Sequence, residues 1–384
     1  MTPPTSARAR TGSDDRVRAE VGDELRALLE DIVRRRGLHH ATMAVASADG
    51  SERWSGAAGA ADAAGTPLEP ETPFFIASVT KRFIATLVLQ AAELGELDLD
   101  DRMVDHLPPE VTRGLHVRKG VDHTPAITVR HLLSHTSGLP DYWDKPADGP
   151  SLFRDLAAGR DRGWTFEEMV RMVREEHTPH FPPQDLAADR QHARYSDTGF
   201  QLLIAILERA TSRSFATLLS ERITTPLGLD HTWLPGRSEP TVPTTSPAPV
   251  CVKDRPLDLP LLLESSNDLV STTGDLLRFQ QALLAGELFE RSDTLARFTE
   301  RTNLLRNMIP NRYGLGTWVF RVNRLIGPRR RPATLVGHAG ATGTWLFHCP
   351  ELDLHLAGGL DQTTVSARSA PFRIMARILR IWHG

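Results

Sequence analysis

Lysine is almost missing from this chain. Of its 45 lysines and arginines only Lys81, Lys119, Lys145 and Lys253 are lysine. Tyrosine is confined to Tyr142, Tyr195 and Tyr313, and cysteine to Cys251 and Cys349. Two thiols so far apart in sequence make no disulfide framework, and a reducing compartment with two unconnected thiols is expected. No apolar run reaches the roughly 18 residues of a membrane-spanning helix. The leading stretch Thr2 to Ser13 has no apolar core of a secretory signal. Residues 1–15 are therefore expected to be a disordered tail and the protein to be cytoplasmic. Charge of one sign is also lacking. A net charge of −3 gives no reason to expect nucleic-acid or membrane binding.

What is present is ordinary globular composition, 40% hydrophobic and 24% charged over 384 residues, enough for one large or two interleaved domains. Arg16 to Arg36 carries Val17, Val21, Leu25, Leu28, Leu29, Ile32 and Val33 at helical spacing. Ala41–Ala46 and Glu52–Gly59 read as a hairpin around Ala48-Asp49-Gly50. The middle is mostly helical: a short helix capped by Thr128, another capped by Thr165 with Glu168 in the capping-box position, and a strongly apolar one from Thr198 to Ala210. From Pro235 to Pro260, seven prolines mark a long irregular connection. Strands return at Tyr313–Phe320, Ala333–Val336, Thr344–His348 and Leu352–Ala357, and Ser369–Trp382 closes the chain as a helix. The fold class expected is α+β. An antiparallel sheet from both chain ends (16–105 and 306–384) is flanked by helices and carries a mostly helical insertion (106–305).

Within this frame one lysine is conspicuous. Ser78-Val79-Thr80-Lys81 opens an apolar helix that runs to about Leu94, with Gly95 after it. Residues three apart on a helix share a face. A hydroxyl at the helix start meets the positive end of the macrodipole. Of the basic side chains, an amine gives up its proton readily and a guanidinium does not. Ser78 and Lys81 thus have the makings of an activated serine nucleophile. Two distant features are candidate partners. Tyr195 lies in Arg194-Tyr195-Ser196-Asp197, just before a helix. Gly337-His338-Ala339-Gly340-Ala341-Thr342-Gly343 has three glycines in seven residues, which lets backbone approach a ligand. His177-Thr178-Pro179-His180 has two histidines three apart, but Pro179 breaks the helix that would aim them together. No metal and no cofactor is expected.

In their order and spacing, Ser78-x-x-Lys81, Tyr195-Ser196-Asp197 and His338-Ala339-Gly340 resemble the serine β-lactamase and D,D-peptidase superfamily. The flanking Leu132–Leu139, Thr198-Gly199-Phe200 and Asp268–Thr272 are similar to its class C and esterase-type branch. The resemblance spans nearly the whole chain. It implies a β-lactamase/transpeptidase-like fold and an acyl-enzyme on Ser78. Lys81 and Tyr195 would share the proton traffic, with either as the base. The N–H groups of Ser78 and Ala341 would form the oxyanion hole, and Asp197, His338 and Gly340 would contact substrate. The resemblance also implies that two cationic neighbours lower the pKa of Tyr195.

Two positions depart from the family pattern. Asp197 stands where asparagine is usual, which should keep Lys81 protonated and favour Tyr195 as the base. His338 stands where lysine is usual and need not be charged at neutral pH, so a fixed anchor for a substrate carboxylate is lost. The reading is a serine hydrolase of small esters or amides acting on a small-molecule acyl substrate. The alternatives are a transacylase with an amine or alcohol acceptor, and a ligand-binding descendant without activity. Arg321, Arg324, Arg329, Arg330 and Arg331 read as a solvated hairpin tip, with a docking site for a phosphorylated acyl donor or carrier as the alternative.

Overall fold

The computed structural model describes residues 12–146, 149, 151–326, 331–363 and 365–383. Its centre is an eight-stranded antiparallel sheet. The strands are β1 (His40–Ser47), β2 (Arg53–Gly59), β3 (Asn303–Leu304), β4 (Arg312–Tyr313), β5 (Trp318–Ile326), β6 (Arg331–Ala339), β7 (Trp345–Cys349) and β8 (Leu354–Gly359). Their order is β2-β1-β8-β7-β6-β5-β4-β3. The two chain ends meet where β1 pairs with β8, Thr42 opposite Gly359 and Ser47 opposite Leu354. The sheet is thus built from both ends, and both of its faces are covered.

Alternation along the strands decides which side chain goes to which face. Met43, Val45, Phe347 and Leu356 point to a layer formed by α1 (Gly12–Arg36) and the closing helix α7 (Val365–His383), where Leu25, Leu29, Ile374 and Ile378 meet them. Ala44, Ala46, Leu346 and Ala357 point the other way. There they meet α2 (Thr80–Glu93) and α6 (Thr273–Ala285), whose Phe83 and Phe279 stack at 3.8 Å. The helices α3 (Val129–Leu133), α4 (Phe166–Glu176) and α5 (Asp197–Thr211) continue that second core away from the sheet. Thr128 and Thr165 cap α3 and α4 as their spacing predicts, each in a capping box, with His131 and Glu168 respectively. The helix α2 packs between sheet and insertion, which puts its first turn at their junction.

Four expectations are corrected. Helix α1 begins at Gly12, inside the expected tail, while residues 1–11 lie outside the described residues. Helix α6 and strand β3 fall in the stretch read as helical insertion, yet α6 packs on β1 and β8, and β3 joins the sheet. Tyr313–Phe320 is not one strand: a turn at Gly314–Thr317 separates β4 from β5. A Cβ on Gly316, at φ +61°, would lie 2.2 Å from Ala85 of α2. Only glycine lets the turn press onto the helix behind Lys81. Finally, Ser78 is not in α2 itself but in a 3-10 turn, Ala77–Val79, that leads into it. Arg329 and Arg330 of the arginine cluster lie outside the described residues, as do the side chains of Arg324 and Arg331. Both cysteines are free and buried. No helix among the described residues is long and apolar enough to cross a membrane.

Candidate active site

The turn carrying Ser78 is held from three sides. Phe74 and Phe75 pair with Ser271 and Val270. The Leu269 N–H donates to Thr80 Oγ1 at 2.9 Å, and the Leu269 carbonyl accepts from Ile76 N–H at 2.9 Å. From the residue just before β7, Thr344 Oγ1 donates to the Ile76 carbonyl at 2.8 Å. Gly340 lies so close that a Cβ there would be 2.9 Å from both Ala77 Cβ and the Ile76 oxygen. This contact brings Ala341 to the rim of the same cleft as Ser78. Ala77 itself has φ +47°, a left-handed conformation costly for a residue with a Cβ. The next residue, Ser78, lines the cleft.

Lys81 Nζ lies 3.1 Å from Ser78 Oγ and forms an ion pair with Asp197 Oδ1 at the start of α5. Lys81 is only 3% exposed. Burial pulls the amine's pKa down, but the Asp197 and Asp268 charges outweigh it and leave the pKa above that of ordinary lysine. Lys81 is therefore an ammonium, as expected from Asp197.

Tyr195 is clamped by Asn307. Its N–H donates to Asn307 Oδ1 at 3.0 Å, and its carbonyl accepts from Asn307 Nδ2 at 3.2 Å. Its ring has Lys81 Nζ at 5.4 Å and the His135 ring at 4.5 Å. His135 Nδ1 in turn accepts from the Ser196 N–H at 3.3 Å. The pKa of the Tyr195 hydroxyl is raised well above 10, first by burial and then by Asp197, against a lowering by Ser78. The expectation of a lowered pKa is thus overturned. Asp141 and Asp268 push the same way as Asp197, and the Lys81 ammonium 5.4 Å from the ring does not offset them.

His338 is the second correction. It is fully buried. Its Nδ1 faces the Ala339 carbonyl at 2.9 Å, so that nitrogen carries the proton. Nε2 then accepts from the Tyr313 hydroxyl at 3.0 Å. Both nitrogens are occupied, and burial, followed by Lys81, holds its pKa well below the usual histidine value. A neutral, satisfied His338 shapes the β6 wall and presents nothing to a ligand.

Two carboxyl groups that the sequence reading did not single out complete the site. Asp268 is pushed up to about 7 by burial, despite Lys81. Asp141 is raised well above the usual carboxylate range by burial and by Asp197. Asp268 was legible only as part of the Asp268–Thr272 resemblance. Asp141 followed Pro140 in a loop with no signal of its own. One buried ammonium thus faces Asp197 and Asp268, with Asp141 beside Asp197.

Asp268 makes a prediction for stability. A carboxyl whose folded pKa exceeds its unfolded value of about 4 binds more protons when folded. Its penalty is absent below pH 4, grows until about 7 and is constant above. Asp268→Asn should therefore flatten the loss of stability between pH 4 and 7. Urea unfolding at pH 5 and pH 8 measures this; an unchanged difference between the two would show that Asp268 ionises normally.

The cleft has two lobes that meet at Ser78, Asp197 and Ala341. One is narrow and apolar, lined by Tyr142, Trp143, Leu156, Val250, Leu259 and Leu262. The other is open, lined by Met308, Ile309, Trp318, Phe320 and Phe372, with Arg194 paired to Asp144 at its edge. Val250 and Leu259 come from the proline-rich connection. His177 and His180 belong to no group of three metal-ligand side chains among the described residues.

Comparison with known proteins bears on the family and the fold. The Beta-lactamase family model matches residues 25–369. The D-alanyl-D-alanine-carboxypeptidase/endopeptidase AmpH of Escherichia coli (strain K12) is 26% identical over 293 residues, 71% of this chain and 66% of that protein. Esterase EstB of Burkholderia gladioli is 31% identical over 214 residues, 55% of this chain and 51% of that protein. The chain spans about half to two thirds of the length of the curated relatives it matches. A D-stereospecific amidohydrolase from Streptomyces sp. superposes with TM-score 0.69 at 28% identity, covering 89% of this chain and 94% of that one. With the matched region running from α1 into α7, this chain belongs to the beta-lactamase family.

Proposed function

We propose that the protein is a serine hydrolase that cleaves an amide or ester of a neutral or amine-bearing compound through an acyl-enzyme on Ser78. The observation that carries this is the line Ser78 Oγ, Lys81 Nζ, Asp197 Oδ1 at the floor of the cleft. As an ammonium, Lys81 has no lone pair with which to take the Ser78 proton. Where asparagine is usual, an amide could not relieve it. A carboxylate can, and Asp197 accepts one proton from Nζ as Nζ takes one from Oγ. The Ser78 oxygen then bonds to the substrate carbonyl carbon, and the carbonyl electrons move onto its oxygen. The N–H groups of Ser78 and Ala341 hold that oxyanion, each donor worth about 3 kcal/mol. As the tetrahedral species collapses, the leaving nitrogen or oxygen takes the Tyr195 proton, Lys81 gives one proton to the Tyr195 phenolate, and Asp197 gives its proton back to Lys81, so that the Ser78 proton ends, in sum, on the leaving group. The raised pKa of Tyr195 suits an acid rather than a base.

Charge supports the substrate class. The cations lining the two lobes, Lys81 and Arg194, are paired to Asp197 and Asp144. Among the described residues lining the lobes no unpaired cation anchors a substrate carboxylate, while Asp197 and Asp268 would welcome an ammonium. The aromatic lining of the narrow lobe suits an apolar side chain.

Tyr195→Phe tests the acid role. Turnover of an amide should fall at least a hundredfold, a typical acid–base contribution, while that of a nitrophenyl ester should fall much less, because its leaving group departs unprotonated. Equal losses on both would return Tyr195 to the role of base. Transfer to an amine or alcohol is the second reading, favoured by the open apolar lobe on the far side of Ser78. Added amine should then yield amide product in excess of hydrolysis.

A further inference from the structure

Away from the cleft, three electron-pair donors converge where three distant parts of the chain meet. His39 Nδ1 and His40 Nδ1 face each other at 3.0 Å. With Cys251 Sγ, these atoms all lie within 4.8 Å of one another. His40 and Cys251 are fully buried, while His39 is half-buried and gives a path from solvent. The segments are sewn together around the cluster. The His39 N–H reaches the Lys253 carbonyl at 3.3 Å, the Cys251 N–H the Asp361 carbonyl at 2.6 Å, and the Thr363 N–H the Cys251 carbonyl at 3.0 Å.

A fourth side chain orients the second imidazole. His40 Nε2 lies 3.0 Å from Asp361 Oδ2, and both side chains are fully buried. That contact places the His40 proton on Nε2 and turns the Nδ1 lone pair toward His39 and Cys251. A carboxylate behind an imidazole is the usual outer support of a metal-bound histidine. The other oxygen, Asp361 Oδ1, is buried without a hydrogen-bond partner among the described residues, and a nearby cation would compensate the carboxylate. Two imidazole nitrogens and a thiolate suit zinc, with a fourth position left to water.

We propose that His39, His40 and Cys251 bind one zinc ion through Nδ1, Nδ1 and Sγ, with Asp361 orienting His40. On binding, the Cys251 thiol proton leaves to solvent and its sulfur pair bonds the ion. The ion clips the start of β1 to the proline-rich connection one residue from Val250, which lines the narrow lobe. This departs from the sequence expectation of no metal, since the ligands are brought together only by folding.

The test uses the full chain stripped with a chelator and titrated with zinc chloride against a chromogenic indicator, then with cobalt chloride. One equivalent per chain is expected, together with proton release and a near-ultraviolet thiolate-to-cobalt band. Cys251→Ser should abolish the band, and Asp361→Asn should keep it while weakening zinc about 10- to 100-fold. His39→Ala, at a half-buried position that the fold tolerates, should weaken zinc at least as much. Failure of the wild-type chain to bind a stoichiometric equivalent would overturn the site. So would a cobalt complex without the thiolate band, or affinity unchanged in folded His39→Ala. In those cases the two histidines only share a proton.

Discussion

Ser78→Ala is expected to remove the single covalent adduct seen by intact mass after treatment with a fluorophosphonate, and to lower amide or ester turnover on the order of a hundred-thousandfold. The size follows from what is lost. Without Oγ there is no acyl-enzyme, and only binding and the oxyanion donors remain. The substitution also removes the 3.1 Å contact to Lys81 Nζ, but the ammonium keeps Asp197 as its partner. Stability should change by no more than about 1 kcal/mol, so a folded, inactive protein is the expected product. An adduct that persists at full yield in Ser78→Ala would place the nucleophile elsewhere. A set of varied probes that leaves the wild-type unlabelled would favour the ligand-binding descendant.

The second large effect concerns Asp197. The relay needs a group that takes the Lys81 proton, and an amide is not one. Asp197→Asn should lower turnover by about a hundred- to ten-thousandfold, even though asparagine is the commoner residue in the family pattern. The opposite outcome is equally specific. If Tyr195 were the base, removing the Asp197 charge would ease its ionisation, since that charge is the second-largest cause of its raised pKa. Turnover would then hold or rise. Lys81→Met should lose activity as deeply and also cost up to about 3 kcal/mol of stability, because the partly buried Asp197 would be left beside Asp141 and Asp268 with its cation gone. A denaturant midpoint that does not move would mean that water, rather than Lys81, balances these carboxylates.

Much of this site could be read in the chain before folding was considered. Ser78 and Lys81 are three apart, and one helical turn brings such residues together in any context. The strands β1 and β2 were legible from the turn residues Ala48-Asp49-Gly50 between them, and the caps at Thr128 and Thr165 from local chemistry. Tyr195 and Gly340 were found through motif order. The boundaries that failed are those set by distant contacts. The break at Gly314–Thr317 exists because the turn must clear Ala85. Helix α6 looked like the rest of the insertion until its partner, the sheet, was in place.

The particular chemistry was settled elsewhere. Local sequence determined which residue types were available: a lysine kept in an arginine-rich chain, an aspartate where an amide is usual, a histidine where a lysine is usual. Tertiary structure decided their states. Burial made His338 neutral and tied it to Tyr313, raised Tyr195 instead of lowering it, and set Asp268 near 7. It also joined His39 and His40 to Cys251 across more than half the chain. The physical reason is the same in each case. A side chain's identity travels with the sequence, but its protonation depends on how much water is removed and which charges replace it. Those are sums over neighbours that only the folded chain assembles.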